Sequence, residues 1–298
     1  MNFIYLYTTD SPKRFMYHYK VMSQGLVNKG HNVNSILVNN ITNNTYISDT
    51  MNNISNYDCV ILYGWLTTIV NYIKPRKIPA LTLYDPPIRQ PSNSRNYEGY
   101  RGLCWGQPHE HYYYEDTLGD VRWKRVSNKM NIKLRDWCIN KNGNVLIGVR
   151  RELNFDGLDP MHDMNNLISV CDKVSKNVVL CSRTKSSHKF DLKTWPKHKI
   201  VLKTIKRLNT ARCLITTGGT MVPKSIIAGV PCYYVDRTIA DPLSITKNLR
   251  LFLSKPETPD RTKWLNWAAY QQWTIDEIRS GDALDYLFHI KPKIYDFS

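Results

Sequence analysis

A short stretch near residue 218 has the composition of a phosphate cradle. It reads Leu214-Ile215-Thr216-Thr217-Gly218-Gly219-Thr220-Met221-Val222-Pro223-Lys224 and closes in Ala228-Gly229-Val230-Pro231. An apolar strand run gives way to small residues and then to a helical pattern. Such a turn aims backbone N–H groups and the positive end of a helix dipole at an anion. Glycine lets the backbone come close to it. Thr217, Gly218, Gly219, Thr220 and Lys224 are the candidate contacts. Two other strand runs end in cations: residues 144–149 run into Arg150-Arg151, and residues 178–181 into Ser182-Arg183-Thr184-Lys185. Guanidinium groups grip diphosphates in two-pronged fashion, so Arg150, Arg151, Arg183 and Lys185 join the set. A Gly-Gly pair also makes plain tight turns, and cations also sit on solvated surfaces.

A carboxylate follows a third apolar run, in Leu81-Thr82-Leu83-Tyr84-Asp85-Pro86-Pro87-Ile88-Arg89. A strand-end acid can take a proton from a hydroxyl as a general base. The alternative is a turn-capping residue before proline. Asp10, after the first strand run, is the reserve candidate. Residues 95–137 interleave aromatic and basic side chains, a pattern that stacks bases and holds phosphates. Arg89, Arg95, Arg101, Trp105, His109, His111, Arg122, Lys124 and Arg125 are the candidate nucleic-acid contacts. Glu110, Glu115, Asp116 and Asp120 dilute this charge, and a loop packing its own tyrosines is the plainer reading. The His109-x-His111 pair with Glu115 could bind a metal but has no further clear ligand, so no metal ligand is assigned.

These residues need elements to position them. Residues 3–8, 34–38, 59–63 and 80–84 read as strands, with helices opening at Ser11-Pro12 and spanning 66–73. In the first helix Phe15, Tyr19, Met22 and Leu26 recur at helical spacing before Gly30 stops it. Residues 85–137 show no clear period, which in a compact domain marks a functional stretch. Strand and helix then alternate again: strands at 145–149, 178–181, 199–201, 214–216 and 232–235, helices at 161–174 and 222–228. The tail, 264–287, reads as helical, with Trp264, Trp267 and Trp273 as core residues. Such alternation calls for parallel sheets covered by helices.

The formal charge is +16, with a pI near 9.5. Residues 173–212 carry twelve Lys or Arg against one acid, Asp191. That density points to a polyanionic partner, although a solvated face also has this composition. Seven scattered cysteines form no zinc or redox pattern and read as buried reduced thiols. No apolar run is long enough to span a membrane, and no cleavable leader is apparent, so a cytoplasmic protein is expected.

The Gly-rich loop, its helix and the closing Gly229-Val230-Pro231 resemble the donor-binding motif of GT-B glycosyltransferases. That family often has an acid on this helix for the donor ribose, where this chain has Lys224. The Asp85 stretch, the entry Asn56-Tyr57-Asp58-Cys59 and the Arg150-Arg151 strand end resemble the phage DNA glucosyltransferases, over about a third of the chain. The resemblance implies an α/β chain of GT-B type: two Rossmann-like αβα domains facing across a cleft. An acceptor domain would cover 1–140 and a nucleotide-sugar domain 141–298, with the final helix packing back on the first. It implies a UDP-sugar donor, leaves open a divalent metal, and makes Asp85 the base. Double-stranded DNA would be the partner, a hydroxymethylated base the acceptor, and the protein a monomer in the host cytoplasm, off the membrane. The alternatives are a glycosyltransferase acting on a polysaccharide or small acceptor, and a non-catalytic nucleotide- or DNA-binding phage protein.

Overall fold

The computed structural model describes residues 1–8, 12–38, 54–64, 67–88, 99–106, 117–148, 160–175, 177–182, 199–202, 204–216, 219–235, 238–243, 245–246 and 248–290. The chain divides into two compact units. Each is an α/β layer built on a largely parallel sheet.

The first unit comprises Met1–Pro87, Asn96–Tyr113 and Ala268–Ser298. Its strands are β1 (Asn2–Thr8), β2 (Asn32–Val38), β3 (Cys59–Tyr63), β4 (Ala80–Tyr84), β5 (Tyr100–Trp105) and β11 (Gln272–Thr274). They lie in the order β11-β5-β4-β3-β1-β2. β1 pairs in parallel with β2 and β3, and β3 with β4; β5 and β11 add antiparallel ladders at the far edge. Alternate residues leave a strand on opposite faces. Phe3, Tyr5, Cys59, Ile61, Leu81 and Leu83 therefore join one core, and Ile4, Leu6, Val60, Leu62 and Ala80 the other. The first core is closed by helices α1 (Pro12–Asn28), α8 (Ile275–Ser280) and α9 (Asp282–His289), through Met22, Leu26, Ile278 and Leu284. The second is closed by α2 (Thr67–Ile73), through Ile69, Val70 and Ile73. Burying each such side chain stabilises the fold by about 1.5–3 kcal/mol before entropy is counted.

The second unit comprises Ile88–Arg95 and Tyr114–Trp267. Its five strands are all parallel: β6 (Asn144–Gly148), β7 (Val178–Ser182), β8 (Lys199–Leu202), β9 (Ala211–Thr216) and β10 (Cys232–Tyr234), in the order β10-β9-β6-β7-β8. Val145, Leu146 and Ile147 in the central strand are each fully buried, as a sheet covered on both faces requires. The helices are α3 (Val121–Lys129), α4 (Pro160–Val174), α5 (Met221–Ile227), α6 (Leu249–Ser254) and α7 (Thr262–Ala269).

The structure corrects two sequence expectations. The stretch 85–137 is not without regular structure: it holds β5 and α3. Arg101 and Gly102 mask the strand pattern of β5. Gly102 is there because the Tyr84 ring lies on it; a Cβ would come 2.6 Å from that ring. The tail is also not one helical run, because Gln272–Thr274 pairs with β5 as an edge strand. Thr274 then opens α8 with a capping box. It accepts from the Glu277 N–H at 3.1 Å, while its own N–H donates to the Glu277 carboxylate at 2.8 Å. Trp264, Trp267 and Trp273 are core residues. Six cysteines are buried and Cys138 is exposed.

Candidate functional site

In the second unit the strand order turns at β6. The chain goes outward through β7 and β8 on one side, then through β9 and β10 on the other. Ligands of open α/β sheets bind beyond the carboxyl ends of the strands at such a switch point. Here the last residues of the two diverging strands are paired, Gly148 with Thr216. They are in close contact: the Cβ that Gly148 lacks would lie 3.1 Å from the Thr216 hydroxyl. Arg150 and Arg151 follow one strand, and Thr217 and Gly218 the other; all four lie outside the described residues, as do Arg183 and Lys185.

Gly219 has φ of 75°, a left-handed conformation that side-chain-bearing residues rarely adopt. Its carbonyl accepts from the Val222 N–H at 3.2 Å, starting the turn into α5. Thr220 is the residue before the helix, and its side chain makes no capping hydrogen bond. Lys224 is 6 % exposed, in a helix buried from Val222 to Ile227. Beyond the helix the Ser225 hydroxyl donates to the Val230 carbonyl at 2.9 Å, and the Leu214 N–H to the Pro231 carbonyl at 2.9 Å. Gly229-Val230-Pro231 thus returns the chain onto β9.

In the first unit β1 is flanked by β2 and β3, so the carboxyl ends of β1 and β3 form its switch point. Asp85 follows the next strand, β4, half-buried between buried Tyr84 and buried Pro86 and Pro87. Asp10 lies outside the described residues. At the end of β3, Tyr63 stacks on His18 of α1, with ring centres 4.8 Å apart and planes 10° from parallel. His18 is 1 % exposed, and the Arg101 Nε donates to its Nε2 at 3.5 Å. The same guanidinium donates to the Tyr100 carbonyl at 2.6 Å. Nε2 as acceptor places the proton of a neutral His18 on Nδ1. Burial raises the Tyr5 phenol, and the nearby Tyr63 adds to that rise. The sequence reading missed this polar group. His18 lies three residues after Phe15 and four before Met22, so its place on the inward stripe of α1 was legible in the spacing.

The nucleic-acid candidates separate by burial. Trp105 is 2 % exposed, packs near Phe288 and donates its ring N–H to the Leu287 carbonyl at 2.8 Å. It is a core residue and offers no face for a base. Arg122 is 7 % exposed, on the inward side of α3, and Arg101 is turned to His18. Lys124, paired with Asp120 at 2.7 Å, and Arg125 are exposed on α3. Arg89, Arg95, His109 and His111 lie outside the described residues. Among the described residues there is no cluster of three metal-ligating side chains, and no helix long and apolar enough to cross a membrane.

No protein-family model and no curated protein matches the sequence. Solved structures of similar layout do. They include the UDP-GlcNAc 2-epimerase of Methanocaldococcus jannaschii (12% identity, 97% of this chain and 99% of that one, TM-score 0.34). The S. aureus protein MnaA, solved with UDP, has 9% identity, 97% coverage of both chains and a TM-score of 0.38. The calicheamicin glycosyltransferase has 10% identity, 98% and 99% coverage and a TM-score of 0.35. None of these three is a DNA glucosyltransferase.

Proposed function

We propose that this protein is a glycosyltransferase that moves a sugar from a nucleotide-sugar, a UDP-sugar first among them, to a hydroxymethylated base in DNA. The observation that carries the reading is the β6/β9 switch point. Two strand ends in contact at Gly148 and Thr216 lead into the arginine pair on one side, and on the other into a left-handed Gly219 turn that opens a helix. Such an end suits a diphosphate, with backbone N–H groups facing the oxygens. In the reaction, Asp85 takes the proton of the acceptor hydroxyl. The freed oxygen forms a bond to the anomeric carbon as the bond to the nucleoside diphosphate breaks, and the cationic strand ends hold the leaving charge.

The test is a panel of nucleotide-sugars offered with hydroxymethylated and plain DNA, read by nucleoside mass spectrometry. A hexose or pentose increment on the modified base is expected. Transfer to no DNA, but to a free sugar or small hydroxyl compound, would replace the acceptor. That second reading is favoured by one observation: Trp105 and Arg122, two expected DNA contacts, are buried. Tight nucleotide binding without turnover on any acceptor would mark a binding protein.

A further inference from the structure

We propose that the outer side of α3 and the segment that follows it form the surface on which duplex DNA lies, held through its phosphates. This rests on the reading of DNA as acceptor and moves the contact away from the aromatic residues expected to make it. Helix α3 is sharply two-sided. Arg122, Val126 and the following Met130 are buried, while Val121, Lys124, Arg125, Asn128 and Lys129 are exposed. Those five exposed positions recur as i, i+3, i+4, i+7 and i+8 and form one stripe. The helix contains no acid; Asp120, just before it, pairs with Lys124. The segment 131–142 continues the charge with exposed Lys133, Arg135 and Lys141, against Asp136 alone.

That segment has no helix or strand, yet it is fixed. Its Arg135 N–H donates to the Ile227 carbonyl at 3.0 Å, and its Cys138 N–H to the Gly229 carbonyl at 2.8 Å. Arg261 is 7 % exposed; it donates to the carbonyls of Arg135 and Ile226 and lies 4.4 Å from the centre of the Trp137 ring. Trp137 donates its ring N–H to the Pro259 carbonyl at 3.0 Å. The Arg135 guanidinium donates to the Asn209 side chain at 2.5 Å. An exposed basic segment pinned at its backbone loses little further freedom on binding, and this is what a preorganised polyanion site requires.

Duplex DNA fits better than an anionic membrane. A helix lying in a membrane interface needs an apolar side to insert. In α3 Val126 is buried and Trp123 half-buried, which leaves Val121 at the first position as its exposed apolar residue. Outward stand Lys124, Arg125, Asn128 and Lys129, groups that hold phosphate oxygens, with Val121, Leu134 and Ile139 exposed singly among the cations of the helix and the segment after it. About five phosphate contacts would give a log–log salt slope near −4.5.

The experiment measures binding of a 30-base-pair duplex by fluorescence anisotropy over a range of salt. It compares the full chain with Lys129→Glu/Lys133→Glu/Lys141→Glu and with the same three positions changed to Arg. The glutamate variant should lose on the order of a hundredfold in affinity near 0.1 M salt and flatten the slope by about three. The arginine variant should keep both. Thermal melts identify a glutamate variant that fails to fold, in which case the single Lys133→Glu change, with a slope loss of about one, decides. Equal affinity and slope in wild type and folded variant overturn the proposal. So does a wild type that binds phosphatidylserine vesicles and not DNA. Binding through this face with no sugar on DNA from any donor would sink the glycosyl-transfer reading and leave the surface standing. DNA modified equally well by both proteins, with unchanged KM for DNA, would do the reverse.

Discussion

Asp85 stands half-buried at a strand end, with two buried prolines after it and a buried tyrosine before it. Its backbone is therefore held by groups that a change at its carboxylate does not touch. Asp85→Asn keeps the size and hydrogen bonding of the side chain but cannot take a proton. Turnover should fall by about 10²–10⁴, while nucleotide and acceptor affinities stay nearly constant. Single-turnover kinetics with calorimetry checks this; a variant that turns over at the wild-type rate moves the base elsewhere, with Asp10 first in line. The same scale shows where residue type misleads. An aromatic–basic alternation suggests a stacking surface, yet Trp105 is in the core and Arg101 is engaged by His18 and the Tyr100 carbonyl. Type and spacing say that a tryptophan will bury its ring, but not whether a base or Phe288 covers it.

At the scale of the element, two turns around α5 carry separate predictions. Gly219 adopts a left-handed conformation where the expected diphosphate site enters the helix. Gly219→Val should weaken nucleotide binding by about 1–3 kcal/mol, by straining the turn and leaving phosphate oxygens unpaired. Calorimetric titration with UDP reads this directly, and an unchanged affinity would remove the turn from the site. Gly229 ends the helix with φ of 71°, and a Cβ there would meet the Asp136 carbonyl oxygen at 2.0 Å. Gly229→Ala should therefore cost about 1–3 kcal/mol of stability, seen as a lower urea midpoint at unchanged slope. A neutral outcome would mean that the segment 131–142 is not pinned where the hydrogen bonds of Arg135 and Cys138 place it.

Over the whole molecule, burial of weak acids sets the response to alkali. Burial raises Cys171 and Cys213 from 9.0 to about 12, and shifts Cys59, Tyr5, Tyr84 and Tyr234 upward as well. Between pH 9 and about 12 the unfolded chain gives up these protons while the native chain keeps them. The native state then holds more protons, so stability falls as pH rises through this window, and these groups have no effect below it. Urea midpoints at pH 7.5, 9 and 10.5 should be level and then decline; a midpoint that climbs with pH would contradict the buried state of these thiols and phenols.

The sequence by itself determined the alternation of strands and helices in both units, because apolar runs of strand length and helical spacing are local properties of the chain. It also marked the Gly-rich turn after β9, since only small residues make that turn. Tertiary contact decided the rest. β5 was not legible because Gly102 serves the Tyr84 ring, a neighbour 18 residues away in the chain. The strand at Gln272–Thr274 exists because β5 offers it an unpaired edge, and no periodicity in three residues can report that. Which cations face outward was equally hidden: Arg122 and Lys124 differ by two positions on one helix, and only packing puts the first inside and the second in water.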